Sequence, residues 1–349
     1  MPKILNQKVA HEKGWAVAHW NWLRFLKLNA SLEKVALPNR LQKLELADHF
    51  VGNIEHVSLP DSLQSLSIGN GFNQGMEKVA LPSGLRELRF GQEFDKPLER
   101  VALPTSLQVL VFEGVFDQSM ENVALPMGLQ TLTFGERFNL FGFNQPLQKV
   151  ALPSGLQNLT LGNKFDQSMD KVALPSGLRN LTFGKFFNQG MDKVALPRRL
   201  QTLNFGYSFR KSMDKVTLPS SLQNLIFGHE FNQSMERVVL PSSLQVLRFK
   251  GNFNQSLQKV ALPNGLRELT ITGAFNQPME GVALPNGLQI LKLQSFCFNQ
   301  PMEKVALPSG LRELRFGQSF NQRLEMAAMP RGLLINGSMD FATFKSYFE

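Results

Sequence analysis

Residues 81–102 read LPSGLRELRFGQEFDKPLERVA, and this stretch decides the fold. Leu88 and Phe90 alternate with Glu87 and Arg89, the period-2 pattern of a strand with one buried face. Val101 and Leu103 alternate with Arg100 and Ala102, which predicts a second short strand. Pro104 closes it, because proline has no N–H to give to a ladder. Pro82-Ser83-Gly84 suits a turn with proline second and glycine fourth. Gly91 opens the other corner, where a positive φ is expected.

Moving outward, the stretch repeats. Leu-Pro recurs with prolines at 38, 60, 82, 104, 126, 153, 175, 197, 219, 241, 263, 285, 308 and 330. Of the thirteen intervals, eleven are 22 residues, one is 27 and one is 23. The long interval contains FNLFGFNQ at 138–145, and the 23-residue one contains Ser295-Phe296-Cys297-Phe298. Both insertions fall at one corner of the repeat, as expected of a solvent-facing loop. Seven positions stay apolar in nearly every unit: Leu81, Leu85, Leu88, Phe90, Phe94, Leu98 and Val101 here. One 22-residue unit cannot bury seven such side chains alone. Stacked units can, since each column packs on the next. The fold class predicted is mainly β, a β-solenoid of about 14 coils of 22 residues with two short strands per coil and little helix. Strands on both sides would give neighbouring coils the same spacing and a fairly straight stack.

The residue after the corner Phe forms a polar column. Its asparagines are Asn73, Asn144, Asn188, Asn232, Asn254, Asn276, Asn299 and Asn321, joined by Asp95, Asp117, Asp166 and Arg210. Inward asparagines in a tight corner can bond the backbone of neighbouring coils, so this column is expected to be a structural ladder.

The ends read as caps, giving three segments: an N-terminal cap at 1–22, the solenoid at 23–336 and a C-terminal capping helix at 337–349. Leu23 to Asn29 matches the strand pattern of a shortened first coil. Phe341, Phe344 and Phe348 fall at i, i+3 and i+7, as on an amphipathic helix.

The Phe-Asn-Gln-Ser/Pro-Met segment followed by Leu-Pro-x-x-Leu-x-x-Leu-x-Phe-Gly resembles the FNIP repeat family, a 22-residue relative of the leucine-rich repeat. Met stands where the family name has Ile. The resemblance implies a leucine-rich-repeat-like solenoid and an intracellular protein-interaction role. Some members carry an N-terminal F-box. Only about 20 residues precede the first coil, so a ligase-adaptor role is not expected.

Candidate contact residues lie on the outward strand face: Val109, Val111, Thr131, Thr133, Asn158, Thr160, Asn180, Thr182, Thr202, Asn204, Asn224 and Ile226. These are small, polar and uncharged, and the strands on either side carry charge. A non-enzymatic scaffold binding a protein partner through this face is the expected function. The alternatives are a purely structural spacer and a Thr/Asn face that binds ice.

Other classes find little support. Lys and Arg total 37 against 28 Asp and Glu, for a net charge of +9. Acidic and basic residues adjoin in each repeat, from Glu77/Lys78 to Glu303/Lys304, so a nucleic-acid partner is not expected. One cysteine, Cys297, and five scattered histidines argue against a metal centre. No P-loop and no Gly-x-Ser-x-Gly occurs, so no catalytic residue and no cofactor is expected. No run of 18 apolar residues and no signal sequence appears. Asn-x-Ser at Asn232 and Asn254 would place glycans in the inward ladder. A monomeric, cytoplasmic protein is therefore expected.

Overall fold

The computed structural model describes residues 4–5, 23–28, 36–135, 141–324 and 329–336. The caps expected at 1–22 and 337–349 lie outside them, apart from one two-residue strand. The chain divides into two compact units. One comprises Met1–Gln167 with Val172–Lys185, the other Ser168–Lys171 with Phe186–Glu349.

In the first unit the strands are β1 (Ile4–Leu5), β2 (Phe25–Leu28), β3 (Lys43–Leu46), β4 (Ser65–Ile68), β5 (Glu87–Phe90), β6 (Val109–Phe112), β7 (Thr131–Phe134), β8 (Asn158–Leu161) and β9 (Asn180–Phe183). In the second they are β10 (Thr202–Asn204), β11 (Asn224–Phe227), β12 (Val246–Phe249), β13 (Glu268–Gly273), β14 (Ile290–Ser295), β15 (Glu313–Phe316) and β16 (Leu334–Asn336). Within each unit every strand pairs in parallel with the next. Leu88 lies beside Leu66 and Leu110, one repeat away on either side. Each unit is thus a stack of solenoid coils.

The strand alternation is as the sequence dictates. Leu88 and Phe90 are fully buried, whereas Glu87 and Arg89 stay half-exposed. Six of the seven apolar columns are buried in the 81–102 coil; Leu81 is only half-buried, and Pro82 beside it takes the inward place. The turn is therefore shifted by one residue from the expected position. The Leu85 N–H donates to the Pro82 carbonyl at 3.0 Å, so proline comes first and buried Leu85 fourth, with Ser83 and Gly84 at the tip.

Among the described residues the second strand per coil does not form. Between Arg100 and Pro104 no residue belongs to a ladder. Its donors are used locally: the Val101 N–H bonds the Leu98 carbonyl, and the Leu103 N–H bonds the Val101 carbonyl, each at 3.0 Å. Pro104 has none to offer. The same local bonds recur at Val123 and Leu125 and at Val260 and Leu262.

One consequence is that coils do not stack straight within a unit. Sheet neighbours lie about 4.8 Å apart. Equivalent strand phenylalanines, Phe90 and Phe112, are 5.4 Å apart between ring centroids. Equivalent corner phenylalanines, Phe94 and Phe116, are 6.0 Å apart. The second unit repeats this, with 5.4 Å for Phe227 and Phe249 and 6.2 Å for Phe231 and Phe253. Coils fan apart away from the sheet because nothing there enforces strand spacing. The rings remain in contact because strand and corner phenylalanines interleave, 3.9 Å apart for Phe90 and Phe94.

Gly91 is required for a different reason than a positive φ, since its backbone is outside the left-handed region. A Cβ at Gly91 would lie 2.4 Å from the Gly69 carbonyl oxygen of the preceding coil. The corner permits backbone-to-backbone contact only if no side chain intervenes. Gly91→Ala is therefore expected to destabilise by about 2–3 kcal/mol in urea unfolding. Gly128→Ala, where a Cβ would sit 3.4 Å from the Thr105 oxygen, should change stability far less. Equal effects at the two sites would refute the close-approach account.

Candidate binding face and its flanking ladder

The exposed side of the sheet is built by the first and third residues of each strand. In the first unit it comprises Val109, Thr131, Thr133, Asn158, Thr160, Asn180 and Thr182, all half-exposed. Val111 departs from expectation: it is 8% exposed and belongs with the core. Its register partners are Arg89 of β5 and Thr133 of β7. In the second unit Thr202, Asn204, Asn224 and Ile226 are half-exposed in the same way.

The polar groups on this face bond along the stack. Asn158 Nδ2 donates to Thr131 Oγ1 at 3.1 Å, and Asn180 Nδ2 donates to Asn158 Oδ1 at 2.6 Å. In the second unit Asn224 Nδ2 donates to Thr202 Oγ1 at 3.3 Å. The parallel register puts Asn158 beside Thr131 and Asn180, and Thr160 beside Thr133 and Thr182. The amides are thus oriented by their neighbours, and their unused donors and acceptors face outward. A row of this kind can bond an uncharged polar surface without ordering free side chains first.

The charged strands beside it are internally neutralised. Lys43 pairs with Glu45 at 2.9 Å, and Arg89 with Glu87. In the second unit Arg248 grips Glu268 through two hydrogen bonds, 2.7 Å from Nε and 2.9 Å from Nη2, and Thr270 Oγ1 adds a third at 2.8 Å. The Arg248 bonds hold the Glu268 carboxyl below the ordinary carboxylate range, against the opposing effect of burial. Glu313 is flanked by Lys292 and Arg315.

The corner ladder is a relay between coils. Asn73 Oδ1 accepts the Asp95 N–H at 3.0 Å, and Asp95 Oδ1 accepts the Asp117 N–H at 2.9 Å. Asp117 then serves Asn144, and Asn144 serves Asp166. The following Gln bonds the same oxygen: Gln118 Nε2 reaches Asp95 Oδ1 at 2.9 Å. In the second unit Asn188 serves Arg210, and a separate run links Asn232, Asn254, Asn276, Asn299 and Asn321. The break has a chemical cause, because the Arg210 guanidinium has no acceptor for the Asn232 N–H. The column is not inward as expected. Asn73, Arg210, Asn232 and Asn321 are exposed and the other members are half-exposed. The oxygens are committed, yet the side chains lie at the surface, so the blocked-corner argument against glycosylation loses its premise.

The insertions carry features the repeat pattern did not reveal. Phe141 and Phe296 are each 64% exposed. Cys297 is half-exposed, and its N–H bonds Ser295 Oγ. Among the described residues no His, Cys, Asp and Glu are grouped to hold a metal ion, and no helix is long and apolar enough to cross a membrane.

The FNIP repeat model matches the chain at residues 29–71, 72–114, 143–186, 187–230, 211–252, 231–274 and 298–334. Among solved structures, CroV588, described as a novel circular LRR protein, is 34% identical over 89% of this chain with a TM-score of 0.75. This chain spans about half, 49%, of the length of that protein. An internalin (inlF) of Listeria monocytogenes covers 93% of this chain at 15% identity, matching over 89% of its own length, with a TM-score of 0.59; that likeness concerns the fold alone. None of the curated proteins compared matches the chain.

Two outcomes follow from this geometry. Arg210→Asn restores an acceptor for the Asn232 N–H and for Gln233, and removes only an exposed ion pair to Glu230 at 3.6 Å. It should stabilise the protein by about 1 kcal/mol, read from the urea midpoint; a destabilised variant would contradict the relay. Glu268 has its folded pKa lowered, so its contribution is present above the unfolded pKa and is lost as pH falls through the folded one. Acidification below the ordinary carboxylate value should therefore cost the wild type more stability than Glu268→Gln, by about 0.5–1 kcal/mol for this partly exposed pair. Parallel acid limbs in thermal melts would show that the pair adds nothing.

Proposed function

Because the chain belongs to the FNIP repeat family, whose coils here form a leucine-rich-repeat-like solenoid, we propose that it is a non-enzymatic scaffold that binds a protein partner through the exposed strand face. The observation that carries this reading is the uncharged, pre-oriented row Thr131–Asn158–Asn180, with Thr133–Thr160–Thr182 beside it. Core positions hardly vary between repeats, whereas this face does, and variation confined to one face is what recognition requires. The neighbouring charges are already paired within the protein, so the partner contributes mainly uncharged polar and apolar contacts. Binding should then depend only weakly on salt. An intracellular location belongs to the same proposal and rests on the family resemblance.

A spacer is the alternative reading, since a stack of coils also holds its ends apart. An ice-binding face receives less support, because Asn158, Asn180 and Val109 interrupt any regular threonine array.

The test is affinity capture from the native cell extract. Wild type is compared with Thr133→Glu/Thr160→Lys/Thr182→Glu, whose alternating charges avoid like-charge repulsion between adjacent strands. Val111 is left unchanged because it is buried. Circular dichroism confirms folding of both baits. Loss of a wild-type partner on the folded variant supports the face. Equal recovery on both baits refutes it, and capture of nothing by the wild type favours the spacer.

A further inference from the structure

A further surface stands out in the second unit. From Phe186 to Lys215 there are six basic residues, Lys193, Arg198, Arg199, Arg210, Lys211 and Lys215, against two acidic ones, Asp192 and Asp214. That segment alone is +4 (6 − 2) of a whole-chain +9. Two of these residues break the repeat. Arg198 and Arg199 occupy the turn that reads Ser176-Gly177 one coil earlier.

Charge alone would mean a solvated face. The pairing pattern says more. Elsewhere the acidic residue of one coil reaches the lysine of the next: Glu55 to Lys78 at 2.8 Å, Glu121 to Lys149 at 3.0 Å, Glu236 to Lys259 at 3.3 Å and Glu280 to Lys304 at 3.5 Å. In the column through Asp170, Asp192 and Asp214, the carboxylate is one methylene shorter. Among the described residues no ion pair there reaches Lys193, Lys215 or Arg237. These three cations are exposed and stand at the same repeat position, on successive coils. Arg198 and Arg199 are likewise exposed and unpaired, five and six residues beyond Lys193 across the short Val194–Pro197 segment. Where Asp stands in place of Glu, a row of cations is left that Lys78, Lys149, Lys259 and Lys304, each behind a glutamate, do not form.

We propose that Lys193, Lys215, Arg237, Arg198 and Arg199 form a docking surface for an acidic protein segment, distinct from the strand face. A peptide is the favoured polyanion because Asp192 and Asp214 sit beside the cations. A nucleic-acid backbone carries a charge at every step and would run along these carboxylates. Acidic side chains separated by neutral residues can meet the cations and pass the aspartates. Among the described residues no exposed aromatic side chain interleaves with the row to stack bases.

The probe is a fluorescein-labelled, alternating Glu-Gly dodecapeptide, with the Gln-Gly peptide and a single-stranded oligothymidine of equal length for comparison. Binding is read by fluorescence anisotropy at low and at physiological salt. The test variant is Lys193→Gln/Lys215→Gln/Arg198→Ser/Arg199→Gly, which writes the preceding coil's own turn residues into the turn. The control, Lys259→Gln/Lys304→Gln, removes two cations that are already paired. Wild type should bind the Glu-Gly peptide in preference to both other probes, and more weakly as salt rises. The test variant should bind at least about tenfold less tightly, and the control should bind like wild type. The proposal is overturned if wild type ignores the acidic peptide or if both variants weaken alike. It is also overturned if oligothymidine binds more tightly than the peptide, which would assign the row to nucleic acid. Circular dichroism of the test variant separates lost charge from lost fold.

Discussion

No coil of this protein can bury its own apolar side chains. Phe90 is covered by Phe94 of its own coil and by Phe112 of the next, and Leu88 by its register partners on either side. The strand-to-strand register is therefore the constraint from which the rest follows. A slip by one residue would turn every Leu and Phe of a strand to the exposed side. The register is held on the sheet by the ladder, at the first corner by backbone contact between Gly91 and Gly69, and at the second by the Asn/Asp relay. Of these three, the Gly91–Gly69 contact is the one that leaves no room for a Cβ. The relay is graded: it accepts Asp for Asn, because either offers an oxygen, and fails at Arg210, which offers none.

Much of this was legible before any coordinates. The 22-residue spacing fixed the columns, and period 2 over Leu88–Phe90 fixed a strand and its buried face. The sequence misled where the same residues serve two geometries. Alternation over Val101–Leu103 is the pattern of a strand, yet the Val101 and Leu103 N–H groups bond within the coil and leave no ladder. Glycine at 91 is compatible with a left-handed corner or with close approach, and only the position of the neighbouring carbonyl distinguishes them. Val111 has the outward parity of Arg89 and Thr133 but is covered. Parity gives direction; burial also depends on what stands alongside. The ladder's exposure was misjudged for a related reason, since a side chain bonded to backbone need not be buried.

Function is legible to a smaller degree, and the repeat explains why. Constant positions report packing and reveal nothing about recognition. Information about a partner resides where the repeat is free or where it breaks. The strand face is the free part, and its residues are individually ordinary; their orientation by Asn-to-Thr and Asn-to-Asn bonds was not visible in spacing alone. The breaks are few: two corner insertions that expose Phe141 and Phe296, the Arg198-Arg199 turn, and Arg210-Lys211 in the ladder.

The acidic and basic columns show how small a change separates structure from an available site. Read as a sequence, Asp192/Lys193 and Glu236/Arg237 are the same motif, neighbouring charges that cancel. In three dimensions the relevant neighbour is the next coil's cation, and the carboxylate must span the gap between coils. Glu spans it to lysine; Asp does not. Away from the sheet that gap is wider than strand spacing, because coils fan apart where no second strand holds them. The absence of a second strand, the failure of the aspartates to pair and the release of Lys193 and Lys215 are then one chain of cause. Sequence-level charge balance conceals this, since the totals are identical whether the charges meet or not.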